Sequence, residues 1–460
     1  MQDLKHLSRQ NRRTGFSFFS FGRCNRKIHR SGEGPSPRLY LPTGKHREQL
    51  KRLLVIVAMV LALLPVSLLV FQKSSSLCKE VRSWTAQPVS ANKAAEPAQK
   101  PPVSSFITAC SLLDDASGPS DQLTARTVEG EILHYTIRGD LQKRVHDFMA
   151  KNQVPYGVFV AIEPATGRIL AMSAHSSVEP GWSKNASFDL YPMASLFKII
   201  TASAALESRK ITPETVIEFR GKSTSENPRY WEASPRGRNN RTDVTFAMGK
   251  SMNPVYGRLA RDLAGKTSVM EVVNKFGFNQ TLLPGTPAKE STASEPQDSH
   301  GLMLMGAGLD HEVKISPLHA AVMMAAIANG GKMMAPGLTD RITDRKGANK
   351  EVFIPREIRS LVAPETAASL TRMLSSTVTT GTSRRAFHDR RGRPRLKVDI
   401  AAKTGSISGN DPRGHYSWFA AFAPAHNPRI ALVALVINQD KWKIKSAQVG
   451  EQALEEFFSN

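Results

Sequence analysis

The sequence predicts a mixed α/β domain, an antiparallel sheet flanked by helices with a mostly helical subdomain, preceded by one N-terminal transmembrane helix. Three observations lead there. An uncharged apolar run, Leu53 to Phe71, is long enough to cross a bilayer. β-rich segments gather near both ends of the region from Thr136 onward, with helix-period segments between them. Terminal strands of this kind close one sheet when they lie side by side. The 460 residues, 40% hydrophobic and 22% charged, suit a globular chain with a sizeable core and exclude a collagen-like or disordered one.

Residues 1–52 form a basic tail with 13 Lys/Arg against three Asp/Glu. A net charge of +22 would suit a nucleic-acid ligand. Much of it, however, sits directly before the apolar run, where it orients a membrane span beside anionic lipid. No nucleic acid is therefore expected as a partner. Residues 53–71 rise 1.5 Å each and reach just under about 30 Å, the thickness of a bilayer core. Arg47, Lys51 and Arg52 precede the run, whereas Gln72, Ser74, Ser75 and Ser76 follow it. The positive-inside rule then places the N-terminus in the cytoplasm and everything past Phe71 outside. A cleavable signal peptide would have a shorter apolar region nearer the start. Residues 72–135, rich in Ser, Ala, Pro and Gln, read as a linker or stalk. Cys24 falls on the cytoplasmic side. Cys78 and Cys110 share the oxidising side and either pair or remain two free thiols.

The domain itself is expected over 136–460. A helix around Asp140–Lys151 is apolar at Leu141, Val145, Phe148 and Met149. Tyr156–Ile162 and Arg168–Ser173 are strands joined by the turn Pro164-Ala165-Thr166-Gly167. Leu196–Glu207, Thr245–Ala264, Val269–Phe276 and Pro317–Ala328 are helical. Val398–Ala402, Ser417–Phe422 and Ile430–Asn438 supply three further strands, and Gln448–Phe458 a closing helix.

The chemistry concentrates at three places. Ser195 opens the segment SLFKIITASAALE, apolar on nearly every face, which marks a helix buried in the middle of a domain. At its first turn, free N–H groups and the positive dipole end favour developing negative charge near Ser195. Lys198 lies about one turn on, on the same face. Desolvation disfavours its charged form, so its amine can serve as the base that a serine nucleophile needs. Ser251-Met252-Asn253 is a polar turn between two helical stretches. Lys403-Thr404-Gly405-Ser406 ends an apolar strand, and its glycine permits close approach of a ligand backbone. It lacks the preceding glycines of a phosphate loop. Each motif alone is weak; their conjunction in this order is specific.

Together these segments resemble the transpeptidase domain of penicillin-binding proteins, a serine acyl-transferase family shared with serine β-lactamases. Tyr191-Pro192, Ile199–Ala202, the hairpin Val158–Met172, Ile315–His319, Ile327–Gly331, Gly381-Thr382 and His415–Pro424 resemble further family landmarks, from about Thr136 to the C-terminus. The resemblance implies a β-lactamase/transpeptidase-like fold. It implies that Ser195 is the acyl-accepting nucleophile, Lys198 its base and Ser251 the relay toward the leaving amine. Asn253 would hold a substrate amide. Lys403, Thr404 and Ser406 would bind the terminal carboxylate around Gly405, and the N–H groups of Ser195 and Ser406 would form an oxyanion hole. The implied substrate is the stem peptide of peptidoglycan ending in D-Ala-D-Ala, with β-lactams as inhibitors. The membrane and other cell-wall synthesis proteins are the implied partners, and neither cofactor nor metal is required. Alternatives are a D,D-carboxypeptidase, a serine β-lactamase, or a non-catalytic penicillin-binding scaffold or sensor. Asn253 in the second motif favours the penicillin-binding side over a lactamase. Three positions depart from the family pattern: Met193-Ala194 for proline-glycine, Ala402 for glycine, and Ser406 for threonine.

Overall fold

In the structure, a computed structural model, residues 105–439 and 441–459 are described. The expected basic tail, the span Leu53–Phe71, Cys24 and Cys78 all lie outside them. Among the described residues no helix is long and apolar enough to cross a membrane.

Five antiparallel strands make the central sheet, in the order Ala401–Asn410, Arg413–Ala423, Ile430–Asn438, Tyr156–Ile162 and Ile169–His175. The C-terminal strand Ile430–Asn438 pairs directly with Tyr156–Ile162, Val433 opposite Val160. Both strands are buried along their whole length. Alternate side chains therefore feed two cores. Phe159, Phe419, Leu432 and Val436 pack against the helices Gly139–Lys151 and Ser446–Ser459. Val158, Val160, Val433 and Leu435 pack on the opposite face against Pro317–Ala328. Each such aliphatic side chain contributes roughly 1.5–3 kcal/mol when fully buried.

Pro317–Ala328 forms where expected and is buried from Pro317 to Ile327. Ser316 starts it by accepting a hydrogen bond from the His319 amide, and Pro317 fits the first turn, where no N–H partner exists. The stretch expected to be helical over Thr245–Ala264 is divided. Val244–Lys250 ends at Ser251, whose φ of 55° is left-handed, and Asn253–Arg258 restarts with Pro254 in its first turn. A π-helical turn, Leu259–Ala264, follows. The polar Ser-Met-Asn segment is thus the turn between two helices.

Two expectations are corrected. Residues 105–135 are not linker: Ser105–Ser111 is a helix, and Thr124–Arg126 and Ile132–Tyr135 are strands of a second sheet completed by Thr339–Thr343 and Asn349–Val352. The Tyr135 hydroxyl donates to the Ala109 carbonyl at 2.9 Å, which fixes the helix to that sheet. These strands are short, and Ile132–Tyr135 finds a partner some 200 positions later, beyond the reach of local pattern. The strand expected to end at Ala402 runs on to Asn410, because Lys403 through Asn410 pair in register with Arg413 through Ala420. Two helices, Ser299–Ala307 and Pro364–Thr379, were not anticipated.

The helical subdomain packs closely around Trp231, which is fully buried. A Cβ at Gly257 would lie 2.2 Å from the Trp231 ring and 3.0 Å from the Met303 carbonyl. Gly257→Ala should therefore destabilise the protein by about 1–3 kcal/mol. The measurement is the denaturant midpoint; an unchanged midpoint would show that this contact is loose.

Candidate active site

The backbone before Ser195 is fastened on two sides. Tyr191 and Pro192 pair antiparallel with Ile315 and Lys314. The Met193 amide donates to the Val313 carbonyl at 2.9 Å, and the Trp418 indole N–H donates to the Pro192 carbonyl at 2.9 Å. A 3-10 turn, Ala194–Leu196, then runs into the α-helix Phe197–Glu207, so Ser195 occupies the entry turn rather than the helix proper. Ala194 adopts a φ of 52°, a region that costs a residue with a side chain roughly 1–3 kcal/mol. Gly308, itself at φ 69°, lies against this turn. A Cβ there would sit 2.2 Å from the Ala194 carbonyl oxygen and 2.9 Å from Ser195 Cα.

Lys198 is fully buried. Its Nζ lies 2.8 Å from Ser195 Oγ and 2.9 Å from Asn253 Oδ1, and it also reaches the Ala307 carbonyl. Asn253 Nδ2 donates to the Ser225 carbonyl at 3.2 Å, which leaves Oδ1 facing the lysine. Burial, aided by the positive charge of Lys403, pushes the Lys198 pKa well below its ordinary value. A neutral amine has two N–H donors and one lone pair. Asn253 Oδ1 and the Ala307 carbonyl are acceptors only, so they take the two donors. The lone pair is left for the Ser195 hydroxyl.

Lys403 is also fully buried, and desolvation brings its pKa down to about 7. Its Nζ donates to Ser251 Oγ at 2.8 Å and to the Thr404 carbonyl at 2.6 Å. Ser251 reaches it because its left-handed conformation caps the helix Val244–Lys250. The Thr404 hydroxyl lies 2.5 Å from that of Thr382. A Cβ on Gly405 would stand 3.4 Å from the Ser195 backbone nitrogen and 3.2 Å from the Ala194 methyl, so only glycine leaves this space open. Ser406 follows on the same edge strand, exposed and opposite Ser417.

The structure thus joins Ser195, Lys198 and Asn253 in one hydrogen-bonded group and Ser251, Lys403 and Thr404 in a second, with Gly405 at the seam. Ser251 is bonded to Lys403, not to Lys198. Sequence reasoning missed the Ala307 carbonyl, Gly308 and Trp418. Gly308 left a signal, since a glycine after an apolar helix commonly takes the left-handed capping position. Among the described residues no cluster of His, Cys, Asp and Glu is placed to hold a metal ion. His319 is a core residue: its Nε2 donates to the Phe276 carbonyl at 2.8 Å, the Ser291 hydroxyl meets Nδ1 at 2.7 Å, and burial lowers its pKa to about 4. His300, His311 and Glu271 are exposed. Cys110 is half-buried and has no disulfide partner among the described residues; burial raises the pKa of its thiol to about 12.

Residues 157–457 match the family described as the penicillin binding protein transpeptidase domain. Peptidoglycan D,D-transpeptidase PbpA of Mycobacterium tuberculosis is 30% identical over 69% of this chain and 70% of its own length. The crystal structure of PBPA from that organism superposes with a TM-score of 0.60 at 26% identity, covering 72% of this chain and 83% of that one. Its ceftriaxone acyl-enzyme complex has a TM-score of 0.59 at 26% identity, covering 72% of this chain and 80% of that one.

Gly308 supports Ser195 without touching any reacting atom. Gly308→Ala should displace the Ala194–Ser195 backbone and slow acylation of the protein by a penicillin by at least about tenfold, since misplacement of about 1 Å costs roughly 100-fold. Intact-protein mass spectrometry over time reads the rate. An unaltered rate would mean that the turn does not depend on this contact.

Proposed function

The chain belongs to the penicillin binding protein transpeptidase family, and we propose that it is a membrane-anchored D-Ala-D-Ala transpeptidase that cross-links peptidoglycan through an acyl-Ser195 intermediate. The observation that carries this reading is the full burial of Lys198 among two carbonyl oxygens and the Ser195 hydroxyl, with Nζ 2.8 Å from Ser195 Oγ and no carboxylate bonded to it.

In this reading Ser195 Oγ attacks the carbonyl of the penultimate D-Ala while Lys198 Nζ takes its proton. The oxyanion is held by the N–H groups of Ser195 and Ser406, each such donor contributing roughly 2.7–4 kcal/mol. Collapse breaks the peptide bond. The departing D-Ala nitrogen receives the proton that Lys198 took from Ser195, relayed through the Ser251 hydroxyl, which Lys403 holds. Asn253 orients a substrate amide. Charged Lys403, with Thr404 and Ser406, binds the terminal carboxylate, and that carboxylate in turn favours the charged form of Lys403. An acceptor amine then attacks the acyl-enzyme by the reverse sequence. β-Lactams acylate the same serine. Residues 53–71 form the single span, with the cytoplasmic tail before it and the catalytic domain outside. The uncharged run and its one-sided basic flank support that topology. Stem peptides and other cell-wall synthesis proteins are the proposed partners.

Fluorescent penicillin should label the native protein and fail to label Ser195→Ala, and Lys198→Ala should lower the acylation rate about 100- to 10,000-fold. Equal labelling of native and Ser195→Ala proteins would refute the assignment. Muropeptide products then distinguish cross-linked dimers from the trimmed peptides of a carboxypeptidase.

The two lysines set the pH dependence. Lys198 must be neutral, so acylation rises with pH as this depressed group loses its proton. Lys403 must be charged to bind a carboxylate, so the second-order rate falls as pH climbs through about 7, the free-enzyme value of Lys403. Lys403→Arg should abolish the alkaline fall, because guanidinium keeps its charge throughout. An alkaline limb that persists unchanged in this variant would assign it to another group.

A further inference from the structure

Between Thr382 and the Lys403 strand lies a segment that the proposed reaction does not use. Residues 384–397 hold six arginines and one lysine against a single carboxylate, Asp389. All seven cationic side chains are exposed. The segment is nevertheless built, not loose. Arg384–Phe387 is a short helix whose Phe387 ring is buried and stacks on Phe419 at 5.5 Å. His388 bridges to Pro394, and the Arg395 amide donates to the Phe387 carbonyl at 2.9 Å. Asp389 accepts hydrogen bonds from the amides of Arg391 and Arg393 at 2.8 and 2.9 Å, and from the Arg393 Nε at 2.9 Å. One carboxylate thus fixes the tip, while like charges are held close together at an electrostatic cost.

A cleft of about 430 Å³ opens at the base of this hairpin, against the C-terminal turns of helix Pro364–Thr379. Val378, Phe387, Pro394, Leu396 and Val398 give it an apolar lining, with His388, His426, Lys397 and Asp399 among its polar members. Leu396 and Val398 are only half-buried.

We propose that the arginine hairpin and the cleft at its base are a docking site for an acidic peptide segment of a partner protein that inserts apolar side chains between Leu396, Val398 and Val378. The two features together select that occupant. A bilayer surface cannot enter a concave cleft, and an inorganic or sugar-phosphate polyanion has nothing to place against an apolar lining. Apolar anchors ringed by charge are the ordinary anatomy of a protein–protein interface. The fixed backbone reduces the ordering entropy of docking. The site also flanks the reaction centre: Thr382, two residues before Arg384, contacts Thr404, and the chain leaving the hairpin becomes the Lys403 strand.

Fluorescence anisotropy with full-length protein in detergent tests this. The probe is a short fluorescein-labelled peptide of mixed glutamate and leucine. Competitors are an all-glutamate peptide, polyphosphate and phosphatidylglycerol vesicles. The mixed peptide should bind saturably and at least about tenfold more tightly than the all-glutamate peptide. The triple variant Arg390→Gln, Arg391→Gln, Arg395→Gln should weaken it about 10- to 100-fold. Leu396→Asn should weaken it about tenfold or more with the charge unchanged, and the near-isosteric Val398→Thr serves if Leu396→Asn fails to fold. Penicillin labelling of Ser195 should persist in the variants. Failure of the mixed peptide to saturate, equal binding of the all-glutamate peptide, polyphosphate or vesicles, or undiminished binding by either class of variant would overturn the proposal.

Discussion

An amine buried without a carboxylate organises this protein. Lys198 is given two carbonyl acceptors and a hydroxyl, and nothing negatively charged. In water such an amine would hold its proton. Inside the domain, desolvation and the second buried lysine, Lys403, both oppose the charge. The fold must therefore be stable enough to keep an ionisable group dry, and the packing around Lys198 meets that need. Helix Phe197–Glu207 is buried from Phe197 to Leu206, so water has no path along its faces.

That requirement explains the arrangement of the surrounding elements. The Lys198 carbonyl partner comes from the end of helix Ser299–Ala307, and its amide partner from the start of helix Asn253–Arg258. The central sheet supplies the other wall, with Lys403 on an edge strand and Trp418 on the strand beside it. Had one lysine been paired with a carboxylate, its pKa would rise and it would hold its proton. The charge of Lys403 does the opposite: it lowers the affinity of Lys198 for a proton, in the same direction as burial. The second lysine is likewise held without a carboxylate, by Ser251 Oγ and the Thr404 carbonyl.

The sequence made the sheet and the reactive side chains readable because both leave short-range traces. Tyr156–Ile162 and Ile430–Asn438 are unbroken apolar runs of strand length, and each appears in the structure with those bounds. The apolar surroundings of Lys198 were likewise visible in the segment that contains it. The second sheet was not legible, since Thr124–Arg126 and Ile132–Tyr135 are short and their stability comes from pairing with a distant segment. Nor was the Ala307 carbonyl, because a backbone acceptor leaves no mark in residue type. The extension of the Lys403 strand to Asn410 was hidden for a third reason: an exposed edge strand carries polar residues that imitate a loop.

The departure at Ala194 shows how narrow the tolerance is at the reaction centre. Residue 194 takes a left-handed conformation that glycine adopts freely, and here a methyl group is present instead. Its carbonyl lies against Gly308 and its methyl against Gly405, both without side chains. Three backbone segments consequently meet around the Ser195 amide with room for one methyl and no more. The geometry there depends on main-chain groups, so what these positions must supply is the absence of bulk. Alanine satisfies that demand at the cost of local strain, and the fastenings from Val313 and Trp418 oppose the relaxation that the strain would otherwise drive. Ser195 is thereby held by the surrounding fold, not by the intrinsic preference of its own turn.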